Sequence, residues 1–279
     1  MNEAGGQKRG QLAEHAESSS WDHSTHEHFF EYYANASRSQ ATLDRFTSVR
    51  NKILRRIAES AQAPRSLEVA DIGCGAGSQC FLWAEMGHHV HGLDVNQPLV
   101  QLARERSHEA GHVVDFRVGS CTQLPWPDKS MDVCLMLELL EHVREWKECI
   151  SECIRVLKPG GVLFITTSNK LCPIQCEFNL PLYSWYPAIL KRHFERLAST
   201  TKPELANFAK YPAVNWFSFY QLRSFLSPHQ MRCLDRFDLI DKTSFPARVV
   251  VECIRRFPLL RWFAHAATSG TILLAFRES

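Results

Sequence analysis

Several signals are missing from this sequence. No apolar run reaches the roughly 20 residues that cross a membrane, and the polar residues 1–20 lack the apolar core of a secretory signal. Ten cysteines are present without a C-x-x-C pair, which excludes a thioredoxin-type motif and zinc-knuckle spacing. A net charge of +2 without a basic cluster gives no sign of nucleic-acid binding. We therefore expect reduced thiols, a cytoplasmic location and no nucleic-acid partner.

Strands and helices alternate along most of the chain. Short apolar runs between turn residues predict strands at 67–72, 88–93, 113–118, 131–137 and 162–167. Apolar residues at helical spacing predict helices at 42–61, 78–86, 97–109 and 143–157. Such alternation implies parallel pairing, so the predicted fold class is α/β with a doubly wound sheet.

Two segments break this rhythm. Residues 1–41 begin with a polar stretch and are predicted to be a flexible N-terminal segment that ends in a helix. Residues 169–217 are rich in proline and aromatic residues and are too long for a plain connection, which predicts an insertion within a domain of residues 42–279. Beyond the insertion, the pattern predicts helices at 219–226 and 249–263 and strands at 233–240 and 271–276.

A glycine-rich bend directly follows the first predicted strand. The stretch EVADIGCGAGSQC, residues 68–80, places glycines at Gly73, Gly75 and Gly77. Alternate glycines let a backbone turn tightly and let a ligand approach it closely. The dinucleotide fingerprint G-x-G-x-x-G would need its third small residue at Ser78, which makes a nucleotide pyrophosphate the weaker candidate.

With the acid at Asp71, the bend forms the pattern D-x-G-x-G-x-G, which resembles the first motif of class I S-adenosylmethionine-dependent methyltransferases. GSCTQLPWPDKSMDVCLMLELLEHV resembles the second motif region of that family and RVLKPGGVLFITTSN the third, so the match covers roughly residues 67–169. The resemblance implies a Rossmann-like, seven-stranded, mostly parallel sheet with an antiparallel last strand. It also implies S-adenosyl-L-methionine as cofactor.

The resemblance places cofactor contacts at the strand ends. Asp71 would supply an anion for the ammonium of the cofactor's amino-acid tail, while Gly73, Gly75 and Gly77 let the backbone approach the tail and ribose. Asp94, 21 residues beyond Gly73, suits hydrogen bonds to both ribose hydroxyls. The other expected contacts are Val95, Ser120, Cys121 and Leu137, with Gln123 and Leu124 as further candidates near the adenine. In the N-terminal helix, Tyr32 or Tyr33 would cover the cofactor.

The residues after the fourth strand carry the candidate chemistry. The stretch ELLEH contains Glu138, Glu141 and His142 and resembles the motif of ubiquinone-biosynthesis O-methyltransferases, where such residues are associated with a divalent metal such as Mg²⁺. Metal and histidine together would lower the pKa of a phenolic hydroxyl. Two alternatives stay open: His142 and Glu141 act on the substrate without metal, or these residues only cap and orient the next helix.

These observations favour methyl transfer to a small, apolar or aromatic acceptor, with oxygen as the expected acceptor atom. The insertion at 169–217 would be a lid over the acceptor, a peripheral membrane contact or inert packing. One alternative function is an NAD(P)-dependent oxidoreductase. Another is a non-catalytic regulatory protein with the methyltransferase fold, because Ser120 stands where many family members carry an adenine-binding acid.

Overall fold

The computed structural model describes residues 37–59, 66–175, 177–206, 213–240 and 244–278. Most of the N-terminal segment 1–41 lies outside these residues, including Tyr32 and Tyr33 of its expected cofactor-covering helix. That part of the domain division stays a prediction. No helix among the described residues has both the length and the apolar character needed to cross a membrane.

Helices and strands alternate through the described residues. The first elements are α1 (Gln40–Ala58), β1 (Glu68–Ile72), α2 (Ser78–Ala84), β2 (His89–Asp94), α3 (Gln97–Glu109), β3 (Val114–Val118), β4 (Met131–Leu137) and α4 (Trp146–Val156). They are followed by β5 (Leu157–Ser168), α5 (Ala188–Thr200), α6 (Phe219–Leu226), β6 (Met231–Asp235), α7 (Phe245–Arg256), α8 (Pro258–Ala266) and β7 (Gly270–Arg277). Short 3-10 turns lie at Leu140–His142 and Tyr183–Trp185.

The strands form one seven-stranded sheet in the order β3-β2-β1-β4-β5-β7-β6. Strands β1 to β5 pair in parallel, and β7 is antiparallel to both of its neighbours. The predicted Rossmann-like sheet with an antiparallel last strand is therefore confirmed. Because β1, β2, β4 and β5 are parallel, their carboxyl ends meet at one edge, where ligands bind in sheets of this kind.

Apolar side chains bury both faces of the sheet. On β5, Leu163 and Ile165 face one core while Val162 and Phe164 face the other. Helices α4 and α6 supply apolar residues to the first core, and α1, α2 and α3 supply them to the second. Burial on both faces explains why these strands read as nearly continuous apolar runs rather than as alternating ones.

The insertion has a small core of its own. Tyr183 is fully buried and stacks on Phe178 with ring centroids 4.0 Å apart, while Trp216 meets the Tyr183 ring edge-on at 5.4 Å. Its last described residues return to the sheet, because the N–H groups of Val214 and Asn215 donate to the Glu141 carbonyl. The insertion is therefore packed against the carboxyl edge of the sheet.

Three elements differ from the sequence-based expectation. The KPGG turn lies inside β5, where the register with β4 shifts between Met131 and Val133. The single helix predicted at 249–263 is two helices, α7 and α8, because Pro258 has no N–H to continue the first one. Strand β6 ends at Asp235 rather than near 240, since the Asp235 carboxylate accepts the N–H groups of Phe237 and Asp238 and turns the chain.

Candidate active site

The glycine bend joins β1 to α2 with every glycine in the left-handed region. Gly73, Gly75 and Gly77 have φ values of 81°, 51° and 81°. The Gly73 N–H donates to the Leu93 carbonyl at 2.7 Å, which ties the bend to the end of β2. Gly77 is the N-cap residue directly before α2, and its N–H donates to the Cys74 carbonyl at 3.0 Å. Residues with a β-carbon rarely adopt these φ values, so the bend needs glycine.

The surroundings of the glycines differ in a way that matters for binding. A β-carbon at Gly77 would lie 2.8 Å from Cζ of Phe116, so this part of the bend is packed tightly against the sheet. A β-carbon at Gly75 would have no atom within 4 Å. The bend therefore turns one side to the core and leaves open space beside the backbone of Gly75.

Asp94, the last residue of β2, lies directly beside this bend. One carboxylate oxygen accepts the Gly75 N–H at 2.8 Å, and the other accepts the Asn96 N–H at 2.8 Å. Burial raises the pKa of Asp94, and the N–H groups of Asn96 and Gly75 counter that effect. Each oxygen accepts one backbone bond and keeps capacity for another, which suits a ligand with two neighbouring hydroxyls. Val95, the next residue, exposes an apolar side chain.

Asp71 lies beneath the bend, near the end of β1, and is buried. Its carboxylate accepts a hydrogen bond from the Cys80 thiol at 3.3 Å. Burial raises the pKa of Asp71 to about 7, and the nearby charge of Asp94 adds to the increase. A cation at hydrogen-bond distance would stabilise the ionised form of this buried carboxylate, whose hydrogen-bond partner is a thiol.

The expected adenine contacts lie in the loop after β3. Ser120 is exposed, and its hydroxyl oxygen accepts the Thr122 N–H at 3.2 Å. Cys121 is half-buried. The pKa of its thiol is raised, mainly by a hydrogen bond with Cys149 and to a smaller extent by burial. Leu124 belongs to the apolar core of the sheet, whereas the Val95 side chain is exposed.

The stretch ELLEH does not form one helical face. Leu137 is half-buried at the end of β4, and Glu138 is exposed with φ of 51°. Glu141 points inward, where its carboxylate accepts the Thr167 hydroxyl at 2.8 Å. Burial, and then the charge of Glu138, raise the pKa of Glu141 well above its usual range. His142 is half-buried, and its Nδ1 atom is buried.

These orientations do not support the predicted metal site. Among the described residues, no three histidine, cysteine, aspartate or glutamate side chains come together as a metal would require. The physical reason is local, because residues 140–142 form a single 3-10 turn and Glu138 has a left-handed backbone conformation. Glu138, Glu141 and His142 therefore do not fit a divalent ion, and no metal is assigned to the site.

Comparison with known proteins agrees with this geometry. Residues 70–165, from β1 to the middle of β5, match a family described as a methyltransferase domain. The chain contains a class I S-adenosylmethionine-dependent methyltransferase domain. It holds the glycine bend, Asp94 and the ELLEH stretch, whereas the insertion and residues 219–278 lie outside the matched part.

Two curated relatives of this methyltransferase domain are named ubiquinone biosynthesis O-methyltransferase. The protein from Mesorhizobium japonicum is 30% identical over 129 residues, which cover 45% of this chain and 52% of the relative. The protein from Maricaulis maris is 34% identical over 159 residues, which cover 56% and 61%. The chain thus spans about half to three-fifths of the length of these relatives.

A solved structure shows the same fold. A S-adenosylmethionine-dependent methyltransferase from Aquifex aeolicus superposes with a TM-score of 0.51 at 15% identity. The match covers 89% of this chain and 98% of that one. The likeness therefore extends to the strands that follow the matched family segment.

Sequence reasoning missed several residues of the methyltransferase domain and its insertion. At the end of β5, Thr166 and Thr167 bond to the Glu138 N–H and the Glu141 carboxylate, and the Ser168 hydroxyl donates to Glu177 of the insertion at 2.9 Å. The polar run TTSN, residues 166–169, at the end of an apolar strand could have indicated these residues from the sequence. Polar residues there face the ligand edge of the sheet rather than its core.

Proposed function

We propose that this protein transfers the methyl group of S-adenosylmethionine to an oxygen atom of a small, apolar or aromatic acceptor. The observation that carries the proposal is the pairing of Asp94 with the open glycine bend. When bound, the cofactor supplies an electrophilic methyl group on a sulfonium. The names of the curated relatives support oxygen as the acceptor atom.

The residues present fit the cofactor. The two oxygens of Asp94 can each accept a ribose hydroxyl while they keep their bonds to Gly75 and Asn96. Open space beside Gly75 admits the cofactor to the backbone. Asp71 provides a carboxylate near the bend for the ammonium of the amino-acid tail. A dinucleotide would instead be expected with the spacing G-x-G-x-x-G, whose third glycine falls at Ser78 in this chain.

The insertion supports an apolar acceptor. Val214 and Asn215 donate to the Glu141 carbonyl, and Glu177 accepts the Ser168 hydroxyl, so both ends of the insertion meet the carboxyl edge beside the bend. The described aromatic and aliphatic residues around Tyr183 form the insertion's own core, which keeps this segment fixed at the edge. A fixed segment at the ligand edge excludes water and suits a ligand with little charge. We assign the insertion as the wall on the acceptor side of the site.

His142 is the residue we propose as general base for the acceptor hydroxyl. A general base contributes about 10² to 10⁴ in rate. We expect His142→Gln to lower kcat/KM on a panel of phenols by about a hundredfold or more. The matched control is His108→Gln, an exposed position on α3, which should leave the rate unchanged.

Three results would contradict this part of the proposal. Unaltered turnover in the His142 variant would show that His142 is not the general base. No turnover of any phenol, amine or thiol by protein that still binds S-adenosylhomocysteine would favour the non-catalytic regulatory function instead. Tight binding of NAD without binding of S-adenosylhomocysteine would favour the oxidoreductase.

The raised pKa of Asp71 predicts that cofactor binding is coupled to the release of a proton. Because its pKa is about 7 in the free protein and an adjacent ammonium favours the ionised form, binding should release a proton below neutral pH. The affinity for S-adenosylhomocysteine should therefore rise by up to about tenfold per pH unit toward pH 7 and then level off. Calorimetry in buffers of different ionisation enthalpy measures both quantities.

The control for this linkage is Asp71→Asn, which keeps the side-chain shape but cannot ionise. Its affinity should be weaker above neutral pH and nearly independent of pH, with little proton release. An equal pH dependence in the variant and the natural protein would show that Asp71 does not face the ammonium.

A further inference from the structure

Helices α7 and α8 form a hairpin whose apolar side chains face solvent. In the described part of α7 no side chain is buried, and in α8 only His265 is. Phe245 is 80% exposed and Leu259 is 76% exposed. We name the following residues the apolar hairpin surface: Phe245, Val249, Val250, Phe257, Leu259, Leu260, Trp262 and Phe263. Exposed apolar residues gathered in this way mark an interaction surface.

The hairpin is held firmly although its outer side is uncovered. Asp235, at the end of β6, accepts hydrogen bonds from Arg261 and His265, each at 2.7 Å. Phe219 stacks on the His265 ring with centroids 5.4 Å apart. On α7, Arg255 donates to the carbonyl oxygens of Phe237 and Ile240. The polar side of the hairpin is thus fixed to the sheet, which leaves the apolar residues outward.

Spacing and charge together indicate what covers this surface. Phe245 and Val249 are four residues apart, as are Leu259 and Phe263, so each pair shares one helical face. The segment 244–266 carries four arginines and one glutamate. Arg255 and Arg261 bond within the protein, whereas Arg248 and Arg256 are exposed. Apolar faces flanked by arginine are typical of helices that lie on an anionic bilayer.

We propose that the apolar hairpin surface docks this protein on a lipid bilayer with anionic headgroups. A second copy of the chain is the less suitable occupant, because a symmetric contact would bring the exposed arginines of both copies together. Since β6 runs parallel to β5, the hairpin follows the same sheet edge as the glycine bend. Docking would therefore place the acceptor side near the bilayer. The proposal rests on the hairpin and not on the proposed function.

Vesicle flotation of the full chain tests this proposal. We expect the protein to bind phosphatidylcholine vesicles that contain phosphatidylglycerol, and to bind pure phosphatidylcholine vesicles much less. Leu259→Ser combined with Phe263→Ser should reduce the partition coefficient by about tenfold or more. Arg248→Gln combined with Arg256→Gln should remove the preference for phosphatidylglycerol.

Two control variants separate the hairpin from other surfaces. Val113→Ser alters a side chain that is 92% exposed just before β3, at the opposite edge of the sheet, and should bind vesicles normally. Ile189→Ser alters an exposed residue of the insertion and should retain most of the binding. Circular dichroism and S-adenosylhomocysteine affinity, unchanged in all variants, show that the fold is intact.

The proposal is overturned if the natural protein binds neither vesicle, or if the Leu259 and Phe263 variant binds like the natural protein. Loss of vesicle binding in the Ile189 variant alone would show that the membrane contact lies on the insertion and not on the hairpin. A dimer in sedimentation that the hairpin variant dissociates, without vesicle binding, would identify a second copy as the occupant.

Discussion

Asp94→Ala should weaken S-adenosylhomocysteine binding by about a hundredfold, which corresponds to about 3 kcal/mol. The substitution removes the acceptor for both ribose hydroxyls, and hydrogen bonds to a carboxylate contribute about 1.5–3 kcal/mol each. It also leaves the Gly75 and Asn96 N–H groups without the acceptor that fixes the bend. Titration calorimetry near pH 7.5 measures the change directly.

Asp94→Asn and Asp44→Ala complete this experiment. The asparagine keeps one acceptor oxygen but brings an N–H₂ group toward a backbone donor. The affinity of this variant for S-adenosylhomocysteine should therefore lie between those of the natural protein and the Asp94→Ala variant. Asp44 is an exposed carboxylate on α1, bonded to Gln40 within the same helix, and its removal should leave affinity unchanged. Natural affinity in the Asp94→Ala variant would show that the ribose lies elsewhere.

Gly77→Ala should lower the free energy of unfolding far more than Gly87→Ala. The two glycines have nearly equal φ values of 81° and 80°, so the backbone cost of a β-carbon, about 1–2 kcal/mol, is the same at both. The two positions differ in the room available for a β-carbon. The new β-carbon would lie 2.8 Å from Phe116 at position 77 and would have no atom within 4 Å at position 87. We expect the packing conflict to add about 1–3 kcal/mol.

Urea unfolding of the two variants beside the natural protein gives the comparison. The difference between them isolates the contact of the bend with β3 and α3, where Phe116 and Ala103 lie. Equal destabilisation of both variants would mean that Phe116 moves aside without cost. In that case the packed side of the bend would not be a fixed part of the site.

The sequence predicted the elements that depend on local patterns. The bounds of α3 and β4 agree with the prediction, because α3 begins at an asparagine cap followed by proline and β4 is an apolar run buried on both faces. The glycine bend and Asp94 were predicted equally well in position, since short stretches of backbone fix them. The spacing from Gly73 to Asp94 then follows from one strand, one helix and a second strand.

Features that depend on tertiary contacts could not be predicted in this way. The inward orientation of Glu141 requires Thr167 on a neighbouring strand, and nothing in ELLEH shows that partner. A metal site would require Glu138, Glu141 and His142 to face one point, whereas residues 140–142 form only a single 3-10 turn. The hairpin surface was missed because the pattern at 249–263 predicts one helix, whereas the chain forms two helices whose apolar side chains are exposed.

A crystal structure of the protein with S-adenosylhomocysteine would show whether Asp94 binds the ribose and Asp71 the amino-acid tail. Both ribose hydroxyls should lie within hydrogen-bond distance of the Asp94 carboxylate, and the amino group of the tail should lie beside Asp71 or be joined to it by one water. A ligand bound away from the glycine bend, or a complex in which Asp94 keeps only its two backbone bonds, would contradict this placement.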